Sequence, residues 1–336
     1  MGSMDEREAR EVKAQVGDYV RELARHRVHA ADVHAAAVPL ALGLAPLADG
    51  GYGVAVRYRL GLPAVRSIAR KVAEQVGPAA DVRRTGRIRT LATPGGPAVT
   101  PRPPVVTARS LGETGRVRPL RPGVSIAHAK VSAGTLGAFV VVDGRMHALS
   151  NYHVLSGTPS AAMGDPILQP GPADGGRTAR DKVGELAGRV ELEPHGRATV
   201  DCAIALLDDP EVDLRYPVGP VTTTAVAVGN EEVAKVGRTT SVTHGRVTAI
   251  ELDDVVVGYG EELGEIAFDG QIEVESTGGS AFSRGGDSGS LVYREDGVAL
   301  GLLFAGSETG SENGSGLTYL NPIDAVLDAL GATLAT

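Results

Sequence analysis

Apolar residues recur at helical spacing near the start of the chain. Val12, Val16, Val20 and Leu23 stand between charged residues, which predicts an amphipathic helix over 5–27 whose apolar stripe needs a cover from its own chain or a sister subunit. Gly53-Val-Ala-Val-Arg-Tyr-Arg59 reads as a strand, Pro63 opens a helix carrying Val65, Ile68, Val72 and Val76 on one face, and 80–90 reads as a second strand. Residues 93–122 hold Thr93-Pro-Gly-Gly-Pro97 and Pro101-Arg-Pro-Pro104, which cannot sit inside a ladder. Beyond them the pattern changes to short apolar runs between turn residues, with strands predicted over 135–142, 145–150, 198–207, 231–236, 243–250, 254–258, 271–275, 289–293, 298–304 and 316–320. Helical spacing returns at 322–330, after Asn321 and opening on Pro322. The expected organisation is an N-terminal helix over 1–35, a small β-α-β domain over 36–92, a Pro-rich linker over 93–122 and a larger domain over 123–336. That larger domain divides at about 123–210 and 217–320, with a C-terminal helix over 321–333.

Composition sharpens this picture toward short strands. Glycine at 45, proline at 20 and only 4% aromatics suit many tight turns, and 42% apolar content suffices for a sizeable core. Cys202 is the only cysteine, so no internal disulfide is possible and a reducing compartment is expected. The charged start has no apolar run of signal-peptide length, and no window reaches the ~20 apolar residues that cross a bilayer. The sequence therefore reads as a cytoplasmic protein without a membrane partner. Residues 1–122 carry 20 Lys and Arg against 11 Asp and Glu, whereas 123–336 carry 13 against 30. The basic residues are scattered and not interleaved with aromatics, so docking of the two parts is expected and nucleic-acid binding is not.

The chemistry concentrates in three strings. Gly286-Asp-Ser-Gly289 offers a serine on a turn that glycine makes sharp, able to expose its hydroxyl and aim backbone amides at one point; an ordinary polar turn is the alternative. A serine hydroxyl is a poor nucleophile without a base in hydrogen-bond reach, and His153 follows the apolar strand ending Ala148-Leu-Ser-Asn-Tyr152. Asp201 opens the apolar run Cys202-Ala-Ile-Ala-Leu-Leu207, the setting for a buried carboxylate that orients the imidazole. Cys202 beside it is read as a small buried apolar residue. The order His153, Asp201, Ser288 is that of chymotrypsin and differs from the orders of subtilisin and the α/β-hydrolases. No His, Asp or Glu cluster has metal-ligand spacing, and neither metal nor cofactor is expected.

Further strings resemble the trypsin-like family that includes the plant narrow-leaf protein and many bacterial relatives. They include Arg118-Pro-Leu-Arg-Pro-Gly-Val-Ser125, Gly134-Thr-Leu-Gly137, Leu149-Ser-Asn-Tyr-His-Val-Leu155, Gly164-Asp-Pro-Ile-Leu-Gln-Pro-Gly171, Val236-Gly-Arg-Thr-Thr240, Gly245-Arg-Val247, Gly286-Asp-Ser-Gly-Ser290 and Leu302-Leu-Phe-Ala-Gly-Ser307. The resemblance covers about residues 115–330. It implies a mainly β chymotrypsin-like double β-barrel with a small N-terminal α/β region and a C-terminal helix, acting as a serine endopeptidase on protein or peptide substrates. A homo-oligomer is also implied, with the N-terminal region serving assembly or substrate selection. The amides of Gly286 and Ser288 would form the oxyanion hole, Phe282 would lie near the base of the specificity pocket, and Phe304, Ala305 and Gly306 would line the strand that pairs with substrate. An apolar residue before the scissile bond is the expected preference.

The chain departs from the digestive enzymes in two ways. It lacks the cysteine after their histidine, and it lacks the Ile-Val-Gly-Gly start whose freed amine pairs with the aspartate before serine. Asp287 therefore needs another partner, backbone amides or Arg284. A second reading of the same residues is a silent or latent scaffold that binds partner segments by strand addition; a third is an esterase.

Overall fold

The computed structural model describes residues 3–27, 40–59, 63–91 and 111–336; residues 93–110 of the Pro-rich stretch lie outside them. Helix α1 (Glu6–Arg27) begins where the Asp5 carboxylate accepts the Glu8 amide, and acidic Glu6 and Glu8 occupy its first turn. Its stripe of Ala9, Val16 and Val20 is buried, covered by this same chain: α1 packs on β1 (Leu40–Pro46), β2 (Tyr52–Tyr58) and α2 (Pro63–Val76). Strand β2 pairs antiparallel with β1 and, through the α2 crossover, parallel with β3 (Ala80–Arg84), which ends the sheet among the described residues. The single strand expected over 80–90 is in fact two. Gly86, with φ +66, turns the chain out of this sheet, and β4 (Ile88–Thr90) runs elsewhere.

The first barrel is built from β5 (Ser125–His128), β6 (Gly134–Thr135), β7 (Ala138–Val142), β8 (Arg145–Ser150), β9 (Pro166–Leu168), β10 (Lys182–Arg189) and β12 (Ala203–Leu207), whereas β11 (Arg197–Ala198), between β10 and β12 in the chain, belongs to the other sheet. Short helices α3 (Tyr152–Leu155) and α4 (Thr178–Asp181) sit in its connections. Pairing runs β5-β9-β10-β12-β8-β7. Because β6 and β7 are one bent stretch bonded to both neighbours, through Leu136 N–H to Val124 and Gly137 N–H to Leu149, the six strands close on themselves. Val124, Ile126, Leu136, Phe139, Val154 and Leu186 fill the interior.

The connection between barrels carries β13 (Arg215–Tyr216), β14 (Gly219–Pro220) and β15 (Thr223–Thr224). Then follow β16 (Glu232–Gly237), β17 (Ser241–Asp253), β18 (Val255–Gly258), β19 (Glu265–Phe268), β20 (Gln271–Ser276), β21 (Leu291–Arg294), β22 (Val298–Ser307) and β23 (Thr318–Pro322). Strands β16, β17, β20, β23, β22 and β21 each bond to two neighbours in that order, while the β18–β19 hairpin stands to one side. Helix α5 (Ile323–Leu330) and β24 (Thr333–Leu334) return the chain to barrel one, where Thr333 pairs with Val141. This is a mainly β, chymotrypsin-like double barrel.

The charge asymmetry has a structural outlet. Strand β1 pairs antiparallel with β17, so the N-terminal strands continue the sheet of barrel two. Arg57 on β2, 1% exposed, donates from Nε and Nη2 to both carboxylate oxygens of Glu273 on β20 at 2.7 and 2.8 Å, and also to Asp81. Lys13–Asp253, Arg59–Glu265 and Arg83–Glu275 repeat the basic-on-acidic pattern. Glu273→Ala leaves the Arg57 guanidinium buried beside a void, which is expected to cost about 3–5 kcal/mol; a urea titration giving less than about 1 kcal/mol would count against this. Burial alone would raise the Asp81 carboxyl, but Arg57 and Arg83 hold it below its ordinary value. Its stabilising contribution is thus present above the unfolded pKa of about 4 and is lost as pH falls through the lower folded value.

Candidate active site

The loop that carries Ser288 needs glycine at its two bends. Gly286 and Gly289 have φ +99 and +92, and a Cβ on them would collide with Thr239 Oγ1 and Ser150 Oγ respectively. Between them the loop is pinned to both barrels. Thr135 of barrel one donates its amide to the Ser288 carbonyl at 2.8 Å and its hydroxyl to the Gly286 carbonyl at 2.8 Å. The Asp287 carboxylate is fully buried and accepts the amides of Thr239, Thr240 and Arg284 at 2.9–3.1 Å and the Thr240 hydroxyl at 2.8 Å, with the Lys235 ammonium 3.5 Å away. Backbone amides thus do what the sequence reading asked of them, Arg284 contributing through its main chain. Lys235 is the partner the sequence did not reveal; burial lowers its pKa while Asp287 pulls it up.

Barrel one supplies His153 and Asp201, the candidate base and its orienter. Chain geometry after β8 puts His153 in the turn of α3, with Asp201 just ahead of β12, the strand paired to β8. His153 Nδ1 and Asp201 Oδ2 are 2.5 Å apart, and the His153 amide donates to Asp201 Oδ1 at 3.3 Å. Asp201 is itself fixed by its amide on Asn321 Oδ1 at 2.9 Å and by the Asn151 side-chain amide on its carbonyl at 2.8 Å. Tyr259, which follows β18, donates its hydroxyl to Asp201 Oδ2 at 2.5 Å and meets the His153 ring edge-on at 6.0 Å. Burial pushes the Tyr259 phenol well above its usual range, so it remains a donor.

The Nε2 of His153 is buried with no hydrogen-bond partner, and Ser288 Oγ donates weakly to the Phe304 carbonyl at 3.5 Å. The two are not bonded to each other, a looseness common in such pairs before chemistry. Cys202 is buried and its thiol pKa is raised by that burial, so it is no rival nucleophile.

The strand expected to receive substrate is already paired. Strand β4 lies antiparallel to β22, with Thr90 opposite Ala305, Arg89 opposite Gly306 and Ile88 opposite Ser307, and parallel to β18 on its other side. One residue further on, the Leu91 carbonyl accepts the amide of Gly286. The Leu91 side chain packs against the core that contains Phe282 and stands where a Cβ on Gly306 would meet it at 3.1 Å. Ala281, Phe282, Ser283, Gly306 and Thr318 line one part of the pocket beside Leu91, and Arg87, Arg89 and Glu308 line another. Phe282 is thus in the pocket region, whereas the Phe304 ring is buried against Phe268 and only its carbonyl faces Ser288. Among the described residues no group of His, Cys, Asp and Glu is gathered as metal ligands.

No family model and no curated protein matches the chain. Among solved structures, it is similar to a glutamic acid specific serine protease reported to use a histidine triad in substrate binding, 24% identical with a TM-score of 0.46 over 64% of this chain and 100% of that one. Protease A of Thermobifida fusca is 20% identical, TM-score 0.46, over 65% and 98%, and the chymotrypsin of Cellulomonas bogoriensis is 21% identical, TM-score 0.44, over 65% and 98%. It is the strand pairing, and not these likenesses, that defines the double barrel.

Proposed function

We propose that the chain is a serine endopeptidase in which Ser288 attacks a peptide carbonyl, His153 takes its proton and returns it to the leaving amine, and Asp201 holds the imidazole and its charged form. The amides of Gly286 and Ser288 would stabilise the tetrahedral oxyanion, a contribution of about 3 kcal/mol per donor. The observation that carries the reading is the carbonyl bonded to the Gly286 amide at the end of a substrate-like strand, with Ser288 two residues along the same loop. The packing of the Leu91 side chain on the apolar cluster that contains Phe282 supports a preference for an apolar residue before the scissile bond. We also infer kinship with the narrow-leaf group from the strings around the triad.

Arg89→Pro provides the test, because proline in the middle of β4 removes a ladder donor and displaces the strand from the cleft. A fluorophosphonate probe is expected to add one unit of probe mass to this variant, and none after the further change Ser288→Ala. A folded Arg89→Pro chain that takes up no probe would overturn the assignment and favour a binding protein.

A further inference from the structure

We propose that the chain is its own first substrate, cutting the bond between Leu91 and Ala92. The inference rests on the peptidase reading and deepens it by naming a substrate.

Four features of residues 88–91 are those of a bound substrate. The backbone of β4 adds to the edge of β22 in antiparallel register, the way an extended peptide is captured by a sheet edge. Strand β18 flanks it on the other side, so the segment is held as the central member of a three-strand ribbon. The Leu91 side chain packs against the apolar cluster that contains Phe282 and lines the same pocket as Phe282. Finally, the Leu91 carbonyl takes the Gly286 amide, the group that stabilises the oxyanion in the reading above. A strand that only blocked the cleft would need the first two features; the last two align a carbonyl for attack.

The step balances without any reagent except water. Ser288 Oγ bonds to the Leu91 carbonyl carbon as its proton passes to His153 Nε2. The C–N bond to Ala92 then breaks, and the amine of Ala92 leaves with that proton. Water, deprotonated by His153, hydrolyses the Leu91 ester and restores Ser288, giving fragments 1–91 and 92–336. The new amine is not needed to shape the loop, because Asp287 is already satisfied by three backbone amides and Lys235. Attack within one chain profits from a pre-paid approach: the carbonyl is held in place by a folded region that is anchored on barrel two through β1 and Arg57.

The experiment incubates the purified full chain beside Ser288→Ala and follows intact mass and N-terminal sequence. Wild type is expected to yield a fragment starting at Ala92 at a rate unchanged by tenfold dilution, and Ser288→Ala to stay whole. Leu91→Asp, which puts a carboxylate against Phe282, is expected to slow the cut about a hundredfold; circular dichroism melts check that each variant folds. A wild-type chain that stays whole while Ser288 labels in Arg89→Pro overturns self-cleavage and leaves the peptidase reading standing. If that labelling is absent too, the peptidase reading itself is what failed. A cut at another bond, or one that persists in Ser288→Ala, also overturns the proposal.

Discussion

Ser288→Ala is expected to lower kcat toward a peptide carrying leucine before the scissile bond by about six orders of magnitude, measured in the Arg89→Pro background. The size follows from the mechanism: without Oγ there is no acyl-enzyme route, and a bare water must attack a carbonyl polarised only by the loop amides, which in a comparable triad enzyme removes about 10⁶ in kcat. The same change should leave stability almost untouched. Its hydroxyl has a single weak bond, 3.5 Å to Phe304, so the fold loses little when it is removed. A variant that keeps its melting temperature and loses less than tenfold in rate would show that another group performs the attack.

Asp201→Asn is expected to cost about 10⁴ in kcat by a different route. The carboxylate accepts three donors here: Nδ1 and the amide of His153, and the Tyr259 hydroxyl. An asparagine offers one carbonyl oxygen and one amide in their place. Its amide cannot accept from Nδ1–H or Tyr259, so the imidazole is driven to the tautomer that carries its proton on Nε2, where it cannot take one from Ser288. With Tyr259 buried, one donor also loses its acceptor. The signature that separates this from simple unfolding is a rate that recovers as pH rises and hydroxide replaces the missing base, with an unchanged far-ultraviolet spectrum. A loss of less than tenfold would mean that Asp201 does not orient the base.

The candidate triad was legible in the sequence because each member sits in a local string that such chemistry would dictate: glycines at both bends around Ser288, an apolar strand before His153, an apolar strand after Asp201. Tyr259 and Lys235 were not legible, since each acts across the fold on a carboxylate far away in sequence. The signal for Tyr259 was its position after Val255-Val-Val-Gly258, a strand ending beside a second glycine at 260, and that pattern names no partner. Strand β1, Leu-Ala-Leu-Gly-Leu-Ala-Pro, is covered on both faces and so lacks the alternation by which a half-buried strand is recognised. Strands β9 and β19 are three and four residues long, and β10 carries two glycines. The strings at 80–84 and 88–90 look alike from sequence, and only the left-handed turn at Gly86 sends the second into the cleft.

Among the described residues, the sheet that joins the N-terminal region to barrel two terminates in β3, and what stands on that rim bears on how copies of this protein avoid one another. Its five residues are Ala80-Asp-Val-Arg-Arg84, with Val82 37% exposed and charge at three of the five positions. An edge strand is a template on which a foreign strand can add, the starting point for aggregates. Here an incoming backbone would have to crowd the ion pairs that Asp81 and Arg83 make with Arg57 and Glu275. The same charges that dock the N-terminal region therefore act as gatekeepers, making the long continuous sheet a poor seed for fibril growth.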